Sequence, residues 1–443
     1  MSSVFQIGIA VASVLVLLGL MAVVRSRARA YGLSAEVQRK LVHIGTGLYA
    51  LTLPWLFPDR WPVYMLIALT LIVMAVLRLP RFARGGIGET LHGVERRSYG
   101  DILLALAIGV VFLLSEGEAV LYVLPIAILT LADAAAALTG SRYGRGFFQV
   151  EDGQKSIEGS VAFFMTSLIL SMICLLLLSD VARPNVILLS VIVAAFGTLV
   201  EADSWRGFDN FFLPAGLMVF LQSHLDSSPG EILFIMAVFV AAIWVFLSAA
   251  AYLGLSLHAA RVYVIAIFLL LSVVALQNTV LPVLVFVAHA LSRRLNPCDA
   301  SYPELDIVAG VALVSFGWLS VGLLADHNAL LFYGLTQLGL ITGLIVLSCV
   351  VLPPVSRWVA ISAAVLVLFW LYAWLMEFNP VLTKGTTVIW PLMVATVVLS
   401  LAATATKPTV FASARVAKLT LMSLIVPVVG YLWAVGVAKG WIG

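Results

Sequence analysis

The chain has 443 residues, 63% of them hydrophobic and 11% charged, with a formal net charge of +3. A soluble globular domain carries about 25% charged residues, so this composition excludes an ordinary water-soluble fold and predicts an all-α polytopic membrane protein. The net charge says little by itself, but its distribution along the chain is informative; no nucleic-acid partner is expected.

Taken in order, the apolar runs predict spans near residues 4–24, 41–57, 62–78, 101–115, 119–139, 158–179, 186–200, 211–223 and 231–255. Further runs near 262–276, 278–292, 306–325, 330–352, 358–376, 387–404 and 419–438 bring the expected total to about 14–16 transmembrane helices. Several runs fall short of the roughly 20 residues that cross a bilayer core, so they must extend into polar flanks or pack inside the protein. No basic residue precedes the first run, whereas Arg25, Arg27 and Arg29 follow it. That pattern predicts an uncleaved first span with its N-terminus outside. The basic stretches at 25–40, 78–97 and 140–157 alternate with short turns containing only Arg60 and Arg183, which places the basic stretches in the cytoplasm. Cys174, Cys298 and Cys349 are far apart and suggest neither disulfides nor a zinc site. Beyond about residue 225 the loops hold isolated charges and no repeat of the first half is visible. The Ser227–Gly230 turn therefore divides an N-terminal domain, 1–225, from a second membrane domain, 226–443.

The polar residues at the span ends carry the functional signal. Asp133, Ala136, Gly140 and Gly144 are spaced by three, four and four residues, which puts them on one helix face with a carboxylate beside small residues. A small-residue packing seam explains the glycines but not a charge inside an apolar run. Arg142 follows, and Lys155-Ser156-Ile157-Glu158-Gly159-Ser160 opens the next span, where backbone amides and a lysine suit a phosphate. Glu158 could instead complement the helix dipole. Glu201, Asp203, Asp209 and Asn210 cluster between two spans on the same side, and such oxygen ligands suit Mg2+, though an acidic loop can simply be solvated. Arg39-Lys40-Leu41-Val42-His43 enters the second span; His43 is either a satisfied structural residue or an orienting one.

Together, Asp133…Gly140…Gly144…Lys155-Ser156-x-Glu158-Gly159-Ser160, with the Lys40…His43 entry and Asp209-Asn210, resembles the dolichol kinase and phytol kinase family over about residues 35–223. The resemblance implies phosphoryl transfer from CTP, or another nucleoside triphosphate such as UTP, to a membrane lipid alcohol (phytol, farnesol, a polyprenol or diacylglycerol), with a divalent metal; the charge pattern puts this at the cytoplasmic face. On that basis Gly140, Arg142, Gly144, Lys155, Ser156, Gly159 and Ser160 are expected to bind the nucleotide. Asp133, Glu158, Glu201 and Asp209 are expected to hold Mg2+, and Asp133, Glu158, Asp209 and His43 to serve the chemistry. The alternatives are a transporter, which would place polar residues at mid-depth in paired broken helices, and a CTP-dependent cytidylyltransferase-like enzyme, whose C-terminal signature is not found.

Overall fold

A computed structural model describes residues 2–32, 35–77, 99–150, 153–203, 205–253, 255–273, 276–377 and 389–441. The basic stretch 78–97 lies outside these residues, as does the start of the run expected at 387–404. The protein is an all-α polytopic membrane fold. Among the described residues nine helices are long and apolar enough to cross a membrane, and shorter apolar helices accompany them. The described chain divides into two compact units, Met1–Arg261 and Val262–Gly443.

The first unit contains α1 (Ser3–Tyr31), α2 (Ala35–Leu51), α3 (Trp61–Leu77), α4 (Gly100–Leu114) and α5 (Ala119–Ala127). A π-helical turn, Ile128–Ala132, joins α5 to α6 (Asp133–Tyr143), so that one continuous span runs from Ala119 to Tyr143. There follow the antiparallel strands β1 (Phe147–Val150) and β2 (Gly153–Ser156), paired from Phe147↔Ser156 to Val150↔Gly153. Then come α7 (Ile157–Leu178), α8 (Arg183–Ala202), α9 (Asp209–His224) and α10 (Pro229–Leu253), and α11 (Leu257–Val273) begins inside the unit. The basic stretch 140–157 thus contains a pair of antiparallel strands, with Gly153 at φ +123° at the start of β2.

Residues 210–221 of α9 are all buried, which follows from a helix that is apolar on every side. At 16 residues α9 is shorter than a span needs, and it forms core between α4, α5 and α8. Within a membrane such burial gains little transfer energy, so α9 is held by close packing and by polar contacts such as Asn210 with the Gly100 carbonyl. Helix α7 packs along α6 and α8. Its start is capped by Ser156, whose Oγ accepts from Gly159 N at 3.1 Å.

The unit has two distinct ends. At one, Gln6 donates to Asp59 at 2.6 Å, Arg60 reaches the Glu116 carbonyl, and Asn185 donates to the Ser227 carbonyl at 2.7 Å. At the other, Asn210 donates to the Gly100 carbonyl at 2.9 Å, and the start of α2, the hairpin and the α8–α9 turn converge. The short turns read from the charge pattern thus share one end and the polar span ends share the other.

In the second unit α12 (Leu276–Leu295), α13 (Pro303–Ala325), α15 (Pro354–Glu377), α16 (Ile389–Thr406) and α17 (Arg415–Ala438) pack around α14 (Leu330–Cys349), nearly all of which is buried. Close approach is possible because Gly339 of α14 faces Ser423 and Thr396, and Gly343 faces Leu419 and Thr404. Arg415 is 2% exposed and donates to the Phe411, Asn296 and Pro297 carbonyls and to Ser292 Oγ, which ties α17 to the C-terminus of α12.

The two-ended arrangement of the first unit can be tested by labelling. In a background lacking the native cysteines, Gln149→Cys and Asp226→Cys should react with a membrane-impermeant maleimide from opposite sides of the membrane. Reaction of both from one side would contradict the packing of α7, α8 and α9.

Candidate functional site

The site is built from one end of five segments. Asp133 is the first residue of α6, immediately after the π turn. Such turns insert a residue into an α-helix and often mark functional sites. This one is held by α2: a Cβ on Gly47 would collide with Thr130, so glycine is needed there, and the Thr130 hydroxyl donates to the Ile126 carbonyl at 2.7 Å. With α2 pressed this close, Lys40 Nζ reaches both Asp133 oxygens, at 2.7 and 2.6 Å. His43, one turn further along α2, has Nε2 3.8 Å from Asp133 Oδ2 and 3.4 Å from the Leu129 carbonyl.

A second ion pair lies beside the first. The β2 strand carries Lys155 to the end of α8, where Nζ donates to Glu201 Oε1 at 2.6 Å and also to the Glu201 carbonyl. Asp209, in the first turn of α9, and Asp133 both lie close enough to act on Lys155. Burial alone would lower the Lys155 pKa, but the carboxylates of Glu201, Asp209 and Asp133 outweigh it and hold the pKa above the usual lysine value. Lys155 is thus a fixed cation, suited to an anion and not to taking protons. Asp133 and Glu201 are nearly enclosed, whereas the side chains of Lys40 and Lys155 are 21% and 23% exposed, so the cluster opens to solvent through its two ammonium groups.

Several expected residues have other tasks. Glu158 does not join the cluster: both its oxygens accept from Gly146 N, at 3.2 and 3.3 Å, which ties the start of α7 back to the hairpin. Gly140 and Gly159 form a close crossing of α6 and α7, since a Cβ on either would approach Ser156 Oγ at 2.7 and 2.9 Å. Gly144 ends α6, with its N–H donating to the Gly140 carbonyl at 3.1 Å, and Ser156 caps α7. In a nucleotide role these residues would act through their amides. Arg142 is exposed, with its guanidinium 5.7 Å from the Tyr143 ring centroid. Ser160 has a buried hydroxyl with no hydrogen-bond partner among the described residues.

The expected acidic group between α8 and α9 divides in two. Glu201 and Asp209 face the lysines, but Asp203 is held by Arg261, whose Nε lies 2.7 and 2.8 Å from its oxygens, and Asn210 is used by Gly100. Burial raises the Asp203 pKa, opposed by the Arg261 guanidinium. Among the described residues no three His, Cys, Asp or Glu side chains form a ready-made metal-ligand group. The donor set nevertheless fits a hard cation. Asp133, Glu201 and Asp209 offer oxygens, and two of the three already stabilise a positive charge in the form of a lysine ammonium. Lys40, Arg261 and His258 were not singled out from the sequence as site residues. The visible signal for Lys40 was a basic residue one turn before His43.

Comparison with known proteins gives one informative match. A phytol kinase from Synechocystis sp. is 34% identical over 199 residues, covering 43% of this chain and 81% of the relative. No family model and no solved structure matches the chain.

An isolated carboxylate at a span end would be more costly to bury than its amide, but Asp133 is paired, and this reverses the expectation for its stability. Lys40→Met strands the more buried partner and should cost about 3–5 kcal/mol. Asp133→Asn strands an ammonium that still reaches water and should cost about 1–3 kcal/mol. Thermal unfolding of the detergent-solubilised variants measures both. A Lys40→Met protein as stable as the wild type would remove the ion pair from the account.

Proposed function

Because the chain belongs to the phytol and dolichol kinase-type family, we propose that its first unit transfers the terminal phosphoryl group of CTP to an isoprenoid alcohol, such as phytol, farnesol or a polyprenol, at the cytoplasmic face of the membrane. A membrane kinase acting on a lipid alcohol is the general form of this reading; the CTP donor and the isoprenoid acceptor are its specific form. The observation that carries it is the alternating array Lys40–Asp133 and Lys155–Glu201, with Asp209 alongside, at one end of an apolar helical unit.

Phosphoryl transfer needs positioning and charge neutralisation more than covalent chemistry. Two lysines open to solvent can exchange their carboxylate partners for the oxygens of a triphosphate, which offers more negative charge and the same hydrogen-bond geometry. Lys155 is the principal phosphate ligand in this reading, with the amides of the hairpin and of the α7 start beside it. The carboxylates released would hold a divalent cation such as Mg2+ at Asp133 and Glu201, which when bound neutralises phosphate charge. Asp209 has no hydrogen bond or ion pair among the described residues, and it is the group assigned to accept the proton of the lipid hydroxyl. His43, buried against Asp133 and the Leu129 carbonyl, orients Asp133. The alcohol arrives along the apolar helices with its hydroxyl at the polar end, and its tail stays in the bilayer. This direction also puts the N-terminus of α1, at the opposite end, outside the cell.

Purified protein incubated with Mg2+, labelled CTP, UTP or ATP and a panel of lipid alcohols should form a phosphorylated isoprenoid, with CTP preferred. Lys155→Ala should weaken nucleotide binding by the value of a charge-assisted hydrogen bond, about 1.5–3 kcal/mol, or roughly ten- to a hundredfold. Asp209→Asn should bind nucleotide normally and turn over far more slowly. Formation of no phosphorylated alcohol with any of the three nucleotides would sink the proposal, and unchanged nucleotide affinity in Lys155→Ala would remove that residue from it.

A further inference from the structure

The turn between α8 and α9 holds Glu201 at one end and Asp209 at the other, and it is fastened by residues that lie beyond the kinase-like stretch. Asp203 is 1% exposed and receives Arg261 Nε at 2.7 and 2.8 Å and Nη2 at 2.6 Å, a two-pronged grip on a carboxylate. His258 is 4% exposed, with Nε2 2.7 Å from the Asp203 carbonyl and its ring edge-on to Trp205 at 6.4 Å. Trp205 in turn packs on Phe208 and Phe212. Between these anchors Arg206 has φ +49° and Gly207 φ +82°, and the Arg206 carbonyl accepts from Tyr99 N at 2.9 Å. A non-glycine residue in the left-handed region persists only where its surroundings impose it. Both Arg261 and His258 come from the start of α11, more than thirty residues past the stretch that resembles the kinases.

We infer that Arg261 and His258 are positioning residues for the phosphoryl-transfer site: by gripping Asp203 they set the spacing of Glu201 and Asp209 across the α8–α9 turn. The α10–α11 segment therefore completes the site, and a chain ending near Ser228 is not a self-sufficient enzyme even though every residue of the kinase-like pattern precedes that point. The activity arm of the test rests on the kinase reading; the structural arm does not.

The test compares full-length wild type, Arg261→Gln and Arg261→Lys. Amide hydrogen exchange should show loss of protection in Arg261→Gln confined to residues 203–210, with the pattern of protection in the rest of the first unit as in the wild type. Turnover should fall by up to about a hundredfold, the effect of a misplacement near 1 Å, with the KM for the lipid alcohol unchanged. Arg261→Lys should recover part of both signals. Unchanged exchange at 203–210 overturns the inference. So does a loss of protection spread evenly through the unit, the mark of a general strut. If the wild type phosphorylates no alcohol, the kinase reading fails, and the exchange data alone decide whether Arg261 positions the turn.

Discussion

A charge sealed from water at the end of a membrane helix needs something opposite against it, since an ionised side chain costs about 2.5–3.5 kcal/mol at mid-bilayer on insertion scales. The first unit meets this requirement by alternating signs. Lys40 covers Asp133, Lys155 covers Glu201, and Arg261 covers Asp203. Each pair joins segments distant in sequence, so the same contacts that make the charges tolerable also bring α2, α6, the hairpin, α8 and α11 to one end. In this part of the molecule folding and site assembly are one event. The pairs differ in access to solvent. Lys40 and Lys155 are partly exposed and can exchange partners, whereas Asp203 is sealed beneath Arg261 and serves as an anchor.

Much of this was legible in the sequence because acidic residues inside apolar runs are conspicuous. Asp133, Lys155, Glu201 and Asp209 were all singled out, and the structure brings them within electrostatic reach of one another. Pairing is another matter. Lys40 and Asp133 are 93 residues apart, and Asp203 and Arg261 are 58 apart, so no local periodicity connects them. Glu158 has a contact that the sequence did not suggest: a strand ends at Ser156, and Glu158 accepts from Gly146 N while Lys155 reaches Glu201. The described residues form compact units up to Arg261 and from Val262, and Arg261 itself pairs with Asp203.

The glycines show how one residue type can satisfy two readings. Their spacing suggested room for a ligand beside the Asp133 helix face. At Gly140 and Gly159 that room is taken by the facing helix and by Ser156. The crossing has its own use, because it fixes where the hairpin leaves α6 and rejoins α7, and so where β2 delivers Lys155. Small residues here govern the direction of a distant side chain.

The π turn at Ile128–Ala132 has a geometric consequence for the whole Ala119–Tyr143 span. Each α-helical residue advances about 100° around the axis, so one extra residue in a turn rotates everything that follows by nearly a third of a revolution. The span therefore has two azimuthal registers on a common axis. Both halves of the span nevertheless meet α2: the Tyr122 hydroxyl donates to the Ala50 carbonyl at 2.8 Å, and Asp133 receives Lys40 at 2.7 and 2.6 Å. A single inserted codon is enough to produce such an offset. It re-aims every side chain beyond it without shifting the axis.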